Sequence, residues 1–592
     1  MTIKMKPVDA VVIGMGWTGS ILSMELALEG LNVVGLERGE YRDTSPDFTY
    51  PKAADELKYG IRGDMLRKLS KESVTVRHNE GDSAVPYRQY NAFLLPDNLG
   101  GAGMHWNGQH YRPSPEDLKF RSHNVQRYGA NFLPANMTIQ DYDLTYEELE
   151  PFLDKFEYLC GTSGQAGNLN GTMINGGNPF EGARSRPYPT PPVPNIYGAE
   201  LFAQAARQMG YHPFPQPSAN CSQPYTNFYG VRLGPCNLCG FCERFGCFLY
   251  SKGSPQTTVL PALRQKPNFE LRTQSWVTRI NLDNTGKRAI GVTYINAGGE
   301  EVFQPADLVV LSSFQLNNVR LMLMSGIGTP YDPSTGKGVI GKNFAYQMMS
   351  ATSVFYDKDV PINPFIGAGS GGSVIIDEFN SDHFDHSKYG FVGGGYIIGG
   401  QTGGRPIQQL AVPSGTPAWG EAWKRAAKDN YLHATSVVSH GAVQSYQDAY
   451  LDLDPTYRDT LGNPLLRMTF DWHDNEYKMT QFLTDRVHEI VQQMKPKSYS
   501  TLMRKPGDHF NVRQYQTTHV TGGIITGADP SSSAVNRYLQ SWDVPNLFVT
   551  GASAFPQNIG YNPTGLIGGL TYFAANAIRT QYLKSPGPLV QA

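Results

Sequence analysis

The sequence of 592 residues predicts an α/β protein, α+β overall, in which one domain is assembled from distant segments of the chain. A strand–helix–strand pattern occupies the first 37 residues, and a second strand–helix unit closes the chain after residue 546. Alternating apolar patterns joined by Gly-rich links fill residues 345–515. The strand–helix units at the two ends predict the domain assembled from distant segments, and the middle predicts an antiparallel sheet with helices on it.

Composition excludes several classes of function. The formal net charge is −2, so no basic field is available to attract nucleic acid. No run of 18 or more apolar residues occurs, so we expect no membrane span. No apolar segment precedes the first strand, so we expect no signal peptide on this chain.

The N-terminal unit is predicted as a strand at 9–14, a helix to about Gly30 and a second strand at 31–37. Its turn, Gly14-Met15-Gly16-Trp17-Thr18-Gly19, matches G-x-G-x-x-G, and Glu37 ends the second strand. Glycines let helix amides approach a pyrophosphate, and the acid can bind a ribose hydroxyl. The unit therefore predicts a bound dinucleotide, with FAD and NAD both open at this point.

The remaining elements follow from local pattern. Residues 162–235 are rich in Pro, Gly and Asn and are predicted to be mostly loop. Residues 546–556 read as a strand that runs into a turn, and a C-terminal helix follows. Other helices are predicted at 146–161, 200–210 and 317–328, and strands at 269–283, 290–296 and 306–313.

Four cysteines lie within 12 residues, at Cys236, Cys239, Cys242 and Cys247. The spacing is close to a ferredoxin run, although it is one residue longer at the end and lacks the trailing proline. Thiolate-rich sites suit iron–sulfur clusters or zinc. We favour an iron–sulfur cluster, with structural zinc and free or disulfide-bonded thiols as the alternatives.

Four further segments resemble the glucose–methanol–choline (GMC) oxidoreductase family. They are a second Gly-rich flavin segment at 99–118, a strand–helix segment at 306–328, a His motif at 518–523 and a C-terminal segment at 546–570. One departure is Asn317-Asn318, where Thr-Pro or Ser-Pro is usual. The resemblance implies FAD, a Rossmann-like FAD domain built from discontinuous segments, and a substrate domain with an antiparallel sheet.

The resemblance also implies domain limits and cofactor contacts. The FAD domain would comprise 1–45, 85–130, 226–345 and 516–592, with the iron–sulfur loop at 234–250, and the substrate domain 46–84, 131–225 and 346–515. Contacts to FAD are expected from Gly14, Gly16, Trp17, Thr18, Gly19, Glu37, Gly100, Gly101, Gly103, Met104, His105, Trp106, Asn107, Gly108, Val277, Gly551, Ala552, Asn562, Pro563 and Thr564.

Oxidising an alcohol by hydride transfer needs a base for the hydroxyl proton, and histidine is the usual base near neutral pH. The family's His–Asn pair matches His519 and Asn562, 43 residues apart. His519 would take the proton and Asn562 would orient the oxygen. The alternative is a structural role for His519. His473 and Glu476 are weaker candidates for a place near the pocket.

His105 stands five residues after Gly100. Some members of the family carry a histidine at the matching place that is covalently bonded to the 8α-methyl carbon of the flavin. Two expectations follow and both stay open here: either His105 is bonded to FAD, or it packs against FAD without a bond.

The cysteine loop resembles that of one subset of the family, the flavoprotein subunits of bacterial membrane-associated sugar and sugar-acid dehydrogenases. There the cluster resembles a [3Fe–4S] centre whose ligands match Cys236, Cys242 and Cys247. A [4Fe–4S] centre would need Cys239 as well. We expect oxidation of a sugar or sugar acid, with gluconate a leading candidate substrate. The rivals are an oxidase that uses oxygen and a non-enzymatic scaffold subunit.

The same subset implies partners and a location. We expect a small subunit exported through a twin-arginine signal, a membrane cytochrome c subunit, and work on the periplasmic side of the inner membrane. The alternative is a cytoplasmic enzyme with a diffusing electron acceptor.

Overall fold

A computed structural model of the chain describes residues 2–48, 65–88, 92–364, 366–367, 371–400 and 410–591. Its strands are β1 (Ile3–Lys4), β2 (Val8–Ile13), β3 (Val33–Leu36), β4 (Val74–Arg77), β5 (Val85–Pro86), β6 (Asn168–Leu169), β7 (Thr172–Met173), β8 (Phe214–Pro215), β9 (Tyr225–Thr226), β10 (Arg232–Leu233), β11 (Phe269–Arg272), β12 (Trp276–Leu282), β13 (Ala289–Ile295), β14 (Glu301–Leu311), β15 (Gln347–Phe355), β16 (Val374–Ile376), β17 (Gly395–Gly399), β18 (Ala434–Ala442), β19 (Tyr450–Arg458), β20 (Pro464–Thr469), β21 (Ser498–Leu502) and β22 (Leu547–Val549).

The α-helices are α1 (Trp17–Leu28), α2 (Ala102–His105), α3 (Pro115–Leu118), α4 (Phe120–Tyr128), α5 (Tyr146–Cys160), α6 (Tyr197–Gln208), α7 (Pro255–Thr258), α8 (Leu260–Leu263), α9 (Gln315–Ser325), α10 (Glu421–Asn430), α11 (Asp474–Gln493) and α12 (Thr564–Ala577). None of the helices in the described ranges is long and apolar enough to span a bilayer.

The main sheet joins the two ends of the chain. Its order is β11-β3-β2-β14-β13-β12, and β1 and β22 also pair with β14. The C-terminal part of β14 lies parallel to β2 and β22, whereas its N-terminal part pairs antiparallel with β13. Residues 10–13 of β2 are apolar and buried because a central parallel strand is covered on both faces. The prediction of one domain built from distant segments is confirmed.

Helices cover this sheet. Helix α1 buries 11 of its 12 residues, as expected for a helix enclosed between the sheet and other helices. Helix α5 begins with a capping box formed by Thr145 and Glu148 and ends at Gly161 in a left-handed conformation. It packs against α12, where Gly568 lets the Phe156 ring approach the helix backbone.

The second sheet is antiparallel, in the order β21-β15-β18-β17-β16-β8. Helices α6 and α11 cover one face with a cluster of buried apolar side chains. The opposite face of β15 and β18 presents alternate residues to a cavity, as the two-residue period of a strand requires. A smaller mixed sheet has the order β19-β20-β4-β5.

The predicted fold class is confirmed, and one local prediction needs correction. Residues 269–283 form two strands, because the chain turns at Gln274, whose φ is +52°. Strand β11 then joins the parallel layer and β12 the antiparallel part. The domain limits stay a prediction, and parts of the predicted ranges (49–64, 89–91, 365, 368–370 and 401–409) lie outside the described residues.

Candidate active site

A cavity of about 630 Å³ lies between the two large sheets. On one side it meets the carboxyl ends of β2, β14 and β22, through residues 13–14, 312–313 and 550–551. On the other side it meets the open face of β15 and β18. Ligands of doubly wound sheets bind outside the carboxyl ends of the strands, so this cavity is the candidate site.

The first Gly-rich turn forms one wall of the cavity. Gly14 has a φ of +89°, and a Cβ there would stand 2.6 Å from the Ser312 carbonyl oxygen. A Cβ at Gly19 would stand 1.9 Å from the Gly14 carbonyl oxygen. Helix α1 starts after Gly16 with no side-chain cap, so its first amides remain available for an anion such as a pyrophosphate.

Glu37 lines the same wall and is buried. Its carboxylate accepts hydrogen bonds from the backbone N–H groups of Met15, at 3.0 Å, and Gly39, at 2.8 Å. Burial raises the pKa of Glu37, although these hydrogen bonds oppose the rise. The carboxylate thus ties the turn to the end of β3, and its expected contact to a ribose hydroxyl stays a prediction.

The second Gly-rich segment is joined to the first. The Gly100 amide donates to the Met15 carbonyl at 2.9 Å. From this segment Gly101, Gly103, His105, Trp106 and Asn107 line the cavity, as do Trp17 and Thr18 from the first. Of the expected FAD contacts, four do not line the cavity themselves: Gly19, Gly100, Met104 and Gly108.

The C-terminal segment supplies Gly551, Ala552, Pro563 and Thr564 to the cavity, and β12 supplies Val277. Helix α12 starts at Thr564 without a side-chain cap, so its first amides also remain available. Asn318 connects this segment to α9: its Nδ2 donates to the Thr550 carbonyl at 2.9 Å and to Ser553 Oγ at 3.0 Å. Asn318 is one of the two residues that stand where the family usually has Thr-Pro or Ser-Pro, and these hydrogen bonds give it a structural role.

Several buried polar atoms along these walls have no hydrogen-bond partner among the described residues: Trp17 Nε1, His105 Nε2 and Thr550 Oγ1. Buried polar groups are normally satisfied, so these atoms fit a polar ligand that fills the cavity. Burial lowers the pKa of His105 to about 4, and the nearby Lys252 and Arg244 lower it further. His105 is therefore a neutral imidazole near neutral pH.

His519 stands at the other end of the cavity, and its hydrogen bonds define its tautomer. Gln347 Nε2 donates to three backbone carbonyls (Ile559, Gly560 and Tyr561), so Gln347 Oε1 faces His519 Nδ1 at 2.5 Å. An amide oxygen only accepts, so Nδ1 carries the proton and Nε2 keeps its lone pair. Burial, followed by the nearby His440, holds the pKa of His519 well below its usual range.

Asn562 also lines the cavity, and two side chains hold it. Its Oδ1 accepts from the Tyr396 hydroxyl at 2.6 Å, and its Nδ2 donates to Gln109 Oε1 at 2.6 Å. The structure thus brings the predicted pair, His519 and Asn562, to one cavity.

Residues that the sequence did not single out complete this end: Gln109, Gln347, Tyr396 and His440. His440 lies opposite Tyr396 in the β17–β18 register, and the two rings stack at 5.1 Å. Its ring centre is 6.4 Å from that of His519. The sequence signal for this face was the alternation of apolar residues along β15 and β18. Alternation indicates which residues share one face of a strand, but not which of them contact a ligand.

His473 and Glu476 are absent from the cavity walls that the structure describes. His473 contacts Asp448 at 2.9 Å, and Glu476 accepts from the Tyr446 hydroxyl at 2.8 Å. Both residues belong to the capping box that opens α11. Their role is therefore in packing, and the weaker hypothesis about them is wrong.

The four cysteines lie in a loop beside the second Gly-rich segment, outside the cavity walls. Three polar groups donate to their sulfur atoms: the Leu238 amide to Cys236 at 3.4 Å, the Lys252 amide to Cys247 at 3.4 Å and Asn220 Nδ2 to Cys242 at 3.5 Å. Such donors stabilise and tune thiolates that bind iron–sulfur clusters. Burial raises the pKa values of Cys236, Cys239 and Cys242, so these thiols stay protonated unless a bound metal centre displaces their protons.

Among the described residues, the one trio of His, Cys, Asp or Glu side chains whose ligand atoms lie within 4.8 Å of one another is His78, Asp471 and His509. The identity of the group that the cysteine loop holds stays a prediction.

Two contacts connect the loop to the flavin segment. The buried Lys252 ammonium donates to the carbonyls of Trp106, at 2.6 Å, and Cys242, at 2.8 Å. Met104 turns away from the cavity and packs in a cluster with Phe241 and Phe245 of the loop. Any centre held by the cysteines would thus lie directly behind the second Gly-rich segment.

Residues 195–349 and 445–571 match the N-terminal and C-terminal profiles of the GMC oxidoreductases. The chain belongs to this family of oxidoreductases, whose members use FAD to oxidise CH–OH donors. It is 55% identical over its whole length to the gluconate 2-dehydrogenase flavoprotein of Pantoea cypripedii, of which it covers 96%.

Two other relatives show how far the similarity reaches. The fructose dehydrogenase large subunit of Gluconobacter japonicus is 24% identical over 96% of this chain and 97% of its own length. The structure of a formate oxidase from Aspergillus oryzae superposes with a TM-score of 0.63 at 15% identity, covering 98% of this chain and 99% of that one. The structural match supports the fold alone.

Proposed function

We propose that this chain is the flavoprotein subunit of a dehydrogenase that oxidises a secondary alcohol of a sugar acid, with gluconate the first candidate. The name of the 55% identical relative supports the substrate class. The observation that carries the chemistry is the His519–Gln347 contact, because it leaves the Nε2 lone pair as a base in the cavity.

The residues divide the reaction between them. His519 Nε2 takes the hydroxyl proton while Asn562 orients the oxygen, so a C=O bond forms as the C–H bond breaks. FAD, when bound, supplies the acceptor for the hydride. The first amides of α1 and α12 would hold its pyrophosphate and its pyrimidine edge.

Electrons would leave through an iron–sulfur cluster held by Cys236, Cys242 and Cys247, a [3Fe–4S] centre, with Cys239 as the further ligand of a [4Fe–4S] alternative. The sulfur-directed hydrogen bonds and the motif spacing of the four cysteines support this assignment. A cluster passes on the two electrons from the alcohol one at a time. An oxygen-using oxidase is the rival function, and it would not need the cysteine loop.

The proposal includes partners. We infer a small subunit that carries a twin-arginine signal and a membrane cytochrome c subunit, on the periplasmic side of the inner membrane. A relative is named as a large subunit, which supports an assembly of unequal chains. Native expression and cell fractionation test this: active enzyme confined to the cytosol with no co-purifying subunit would instead favour a diffusing acceptor.

The experiment for the function is a screen of sugars, sugar acids and polyols with a dye acceptor, run with and without oxygen. We expect oxygen-independent turnover of a sugar acid, together with iron and sulfide in the purified protein. Cys242→Ser should block dye reduction more than flavin reduction, whereas Cys160→Ser, a buried thiol outside the loop, should not. Oxygen-dependent turnover, or one zinc and no iron, would contradict the proposal.

Attachment of FAD through His105 is part of the same test. The unpartnered, neutral Nε2 beside the flavin segment favours a covalent bond. Acid precipitation of the wild type should leave the flavin on the protein, and precipitation of His105→Ala should release it. Free flavin in the wild-type supernatant would show that His105 packs without a bond.

A further inference from the structure

One arginine in the cavity differs from the others in its hydrogen bonds. Two of the three arginines among the described lining residues are neutralised by buried carboxylates, through the pairs Arg38–Glu72 at 2.6 Å, Arg320–Glu72 at 2.7 Å and Arg320–Asp459 at 2.7 Å. The third, Arg244, has its Nε 3.1 Å from Glu243 Oε1. Its Nη1 and Nη2 donate to none of the described residues.

The cavity wall fixes the position of Arg244. Its φ is +66°, an unfavourable backbone conformation for a residue other than glycine, and its amide is held by a 2.7 Å hydrogen bond to the His105 carbonyl. The guanidinium lies 4.4 Å from the ring centre of Tyr515. A planar cation stacked in this way loses little further freedom when it binds a ligand.

The neighbours of Arg244 place it at the substrate end of the cavity. Tyr515 lies four residues before His519, and His105 belongs to the second Gly-rich segment. The Arg244 side chain, 17% exposed, therefore lines the same cavity as His105 and His519 and contacts Tyr515 on its wall. Glu243 also lines the cavity and would repel an anion, but its carboxylate forms its ion pair with Arg244 at Nε, 3.1 Å away, and not with Nη1 or Nη2.

We propose that Arg244 is a carboxylate subsite that binds the acid group of the substrate through Nη1 and Nη2. This inference rests on the proposed oxidation of a sugar acid and assigns the residue that distinguishes an acid from the corresponding neutral polyol. Bidentate pairing with arginine is the strongest form of carboxylate recognition by a single side chain. The cysteine loop would then contribute to substrate selection as well as to electron transfer.

The test is a titration of the purified holoenzyme with gluconate and with sorbitol, a neutral polyol of equal chain length, under anaerobic conditions. Perturbation of the flavin spectrum reports binding, and the kinetics of flavin reduction report turnover. Arg244→Gln should weaken gluconate binding about 10- to 100-fold, because a hydrogen-bonded charge pair is lost. Sorbitol binding should change less than about threefold, since it lacks the carboxylate.

Two further variants make the result specific. Arg244→Lys keeps the positive charge but lacks the planar guanidinium with two parallel N–H donors. Its affinity for gluconate should therefore lie between those of the wild type and Arg244→Gln. Arg425→Gln, on the exposed face of α10, is the matched control and should behave as the wild type. If Arg244→Gln does not fold, competition by acetate against gluconate in the wild type and the Lys variant still reports the subsite.

The outcomes separate the two proposals. Equal losses for gluconate and sorbitol in Arg244→Gln, or no preference for gluconate in the wild type, would overturn the subsite. If sorbitol reduces the flavin and no acid does, alcohol oxidation stands and the subsite fails. If gluconate binds through Arg244 but no sugar, sugar acid or polyol reduces the flavin, the subsite stands and the proposed function fails.

Discussion

The two ends of the cavity are built in different ways. The flavin end is made largely of backbone, namely the turn at Gly14–Gly19, the second Gly-rich segment and the starts of α1 and α12. The substrate end is made of side chains, with Gln347, Tyr396 and His440 on three strands of one sheet. A site built from backbone needs particular residue types at several neighbouring positions, which leaves a motif in the sequence. A site built from side chains needs single residues that are far apart in the sequence.

The largest effect should follow from a Cβ in the backbone-built end. Gly14→Ala should yield protein without FAD, because the added carbon meets the Ser312 carbonyl oxygen at 2.6 Å. The flavin content per chain is the measurement. Gly30→Ala is the matched control, since Gly30 has a similar φ of +85° but nothing within 4 Å of its Cβ position. Full FAD content in Gly14→Ala would contradict the backbone account.

At the substrate end the largest expected effect is that of the base. His519→Ala should slow flavin reduction about 10²- to 10⁴-fold, as loss of a general base does. The FAD content should not change, because the expected FAD contacts come from the Gly-rich segments and the start of α12 and not from His519. The control is His212→Ala, at an exposed histidine that is not among the lining residues. If the flavin of His519→Ala is reduced at the wild-type rate, His519 is not the base.

The pH dependence should depend on His440. Burial, followed by His440, keeps the pKa of His519 well below its usual range, and the neutral form is the active base. The rate should therefore be flat near neutral pH and fall only as the pH drops through that lowered pKa. In His440→Gln the fall should begin at a higher pH, because a repelling neighbour is removed. An unchanged pH profile of flavin reduction would show that the two histidines do not interact.

Asn562 should affect the rate of flavin reduction less than His519 does. Asn562→Ala should lower the rate of flavin reduction by about 10-fold, because it orients the oxygen but accepts no proton. Stopped-flow reduction of the variant beside His519→Ala gives the comparison. A loss as large as that of His519→Ala would assign Asn562 a part in the proton transfer.

The sequence predicted what the backbone-built end needs. G-x-G-x-x-G and Glu37 located the turn, and strand–helix patterns located the two chain ends that share a domain. The family segments located the His519–Asn562 pair. Gln347 carried no such signal, because a glutamine at the start of a strand is ordinary. Its role depends on three carbonyls near residue 560 that orient its amide. Arg244 carried no signal either, because an arginine between two cysteines of a loop is ordinary in sequence.

The central claim is that alcohol oxidation at the substrate end delivers electrons through FAD to the cysteine loop. The most direct measurement is anaerobic rapid mixing of the wild-type holoenzyme with gluconate, followed by flavin absorbance and by electron paramagnetic resonance of the iron. The account predicts that the flavin absorbance falls and that the iron signal then changes as electrons arrive. Flavin that every sugar acid leaves oxidised, or a reduced flavin with no iron signal at any time, would contradict it.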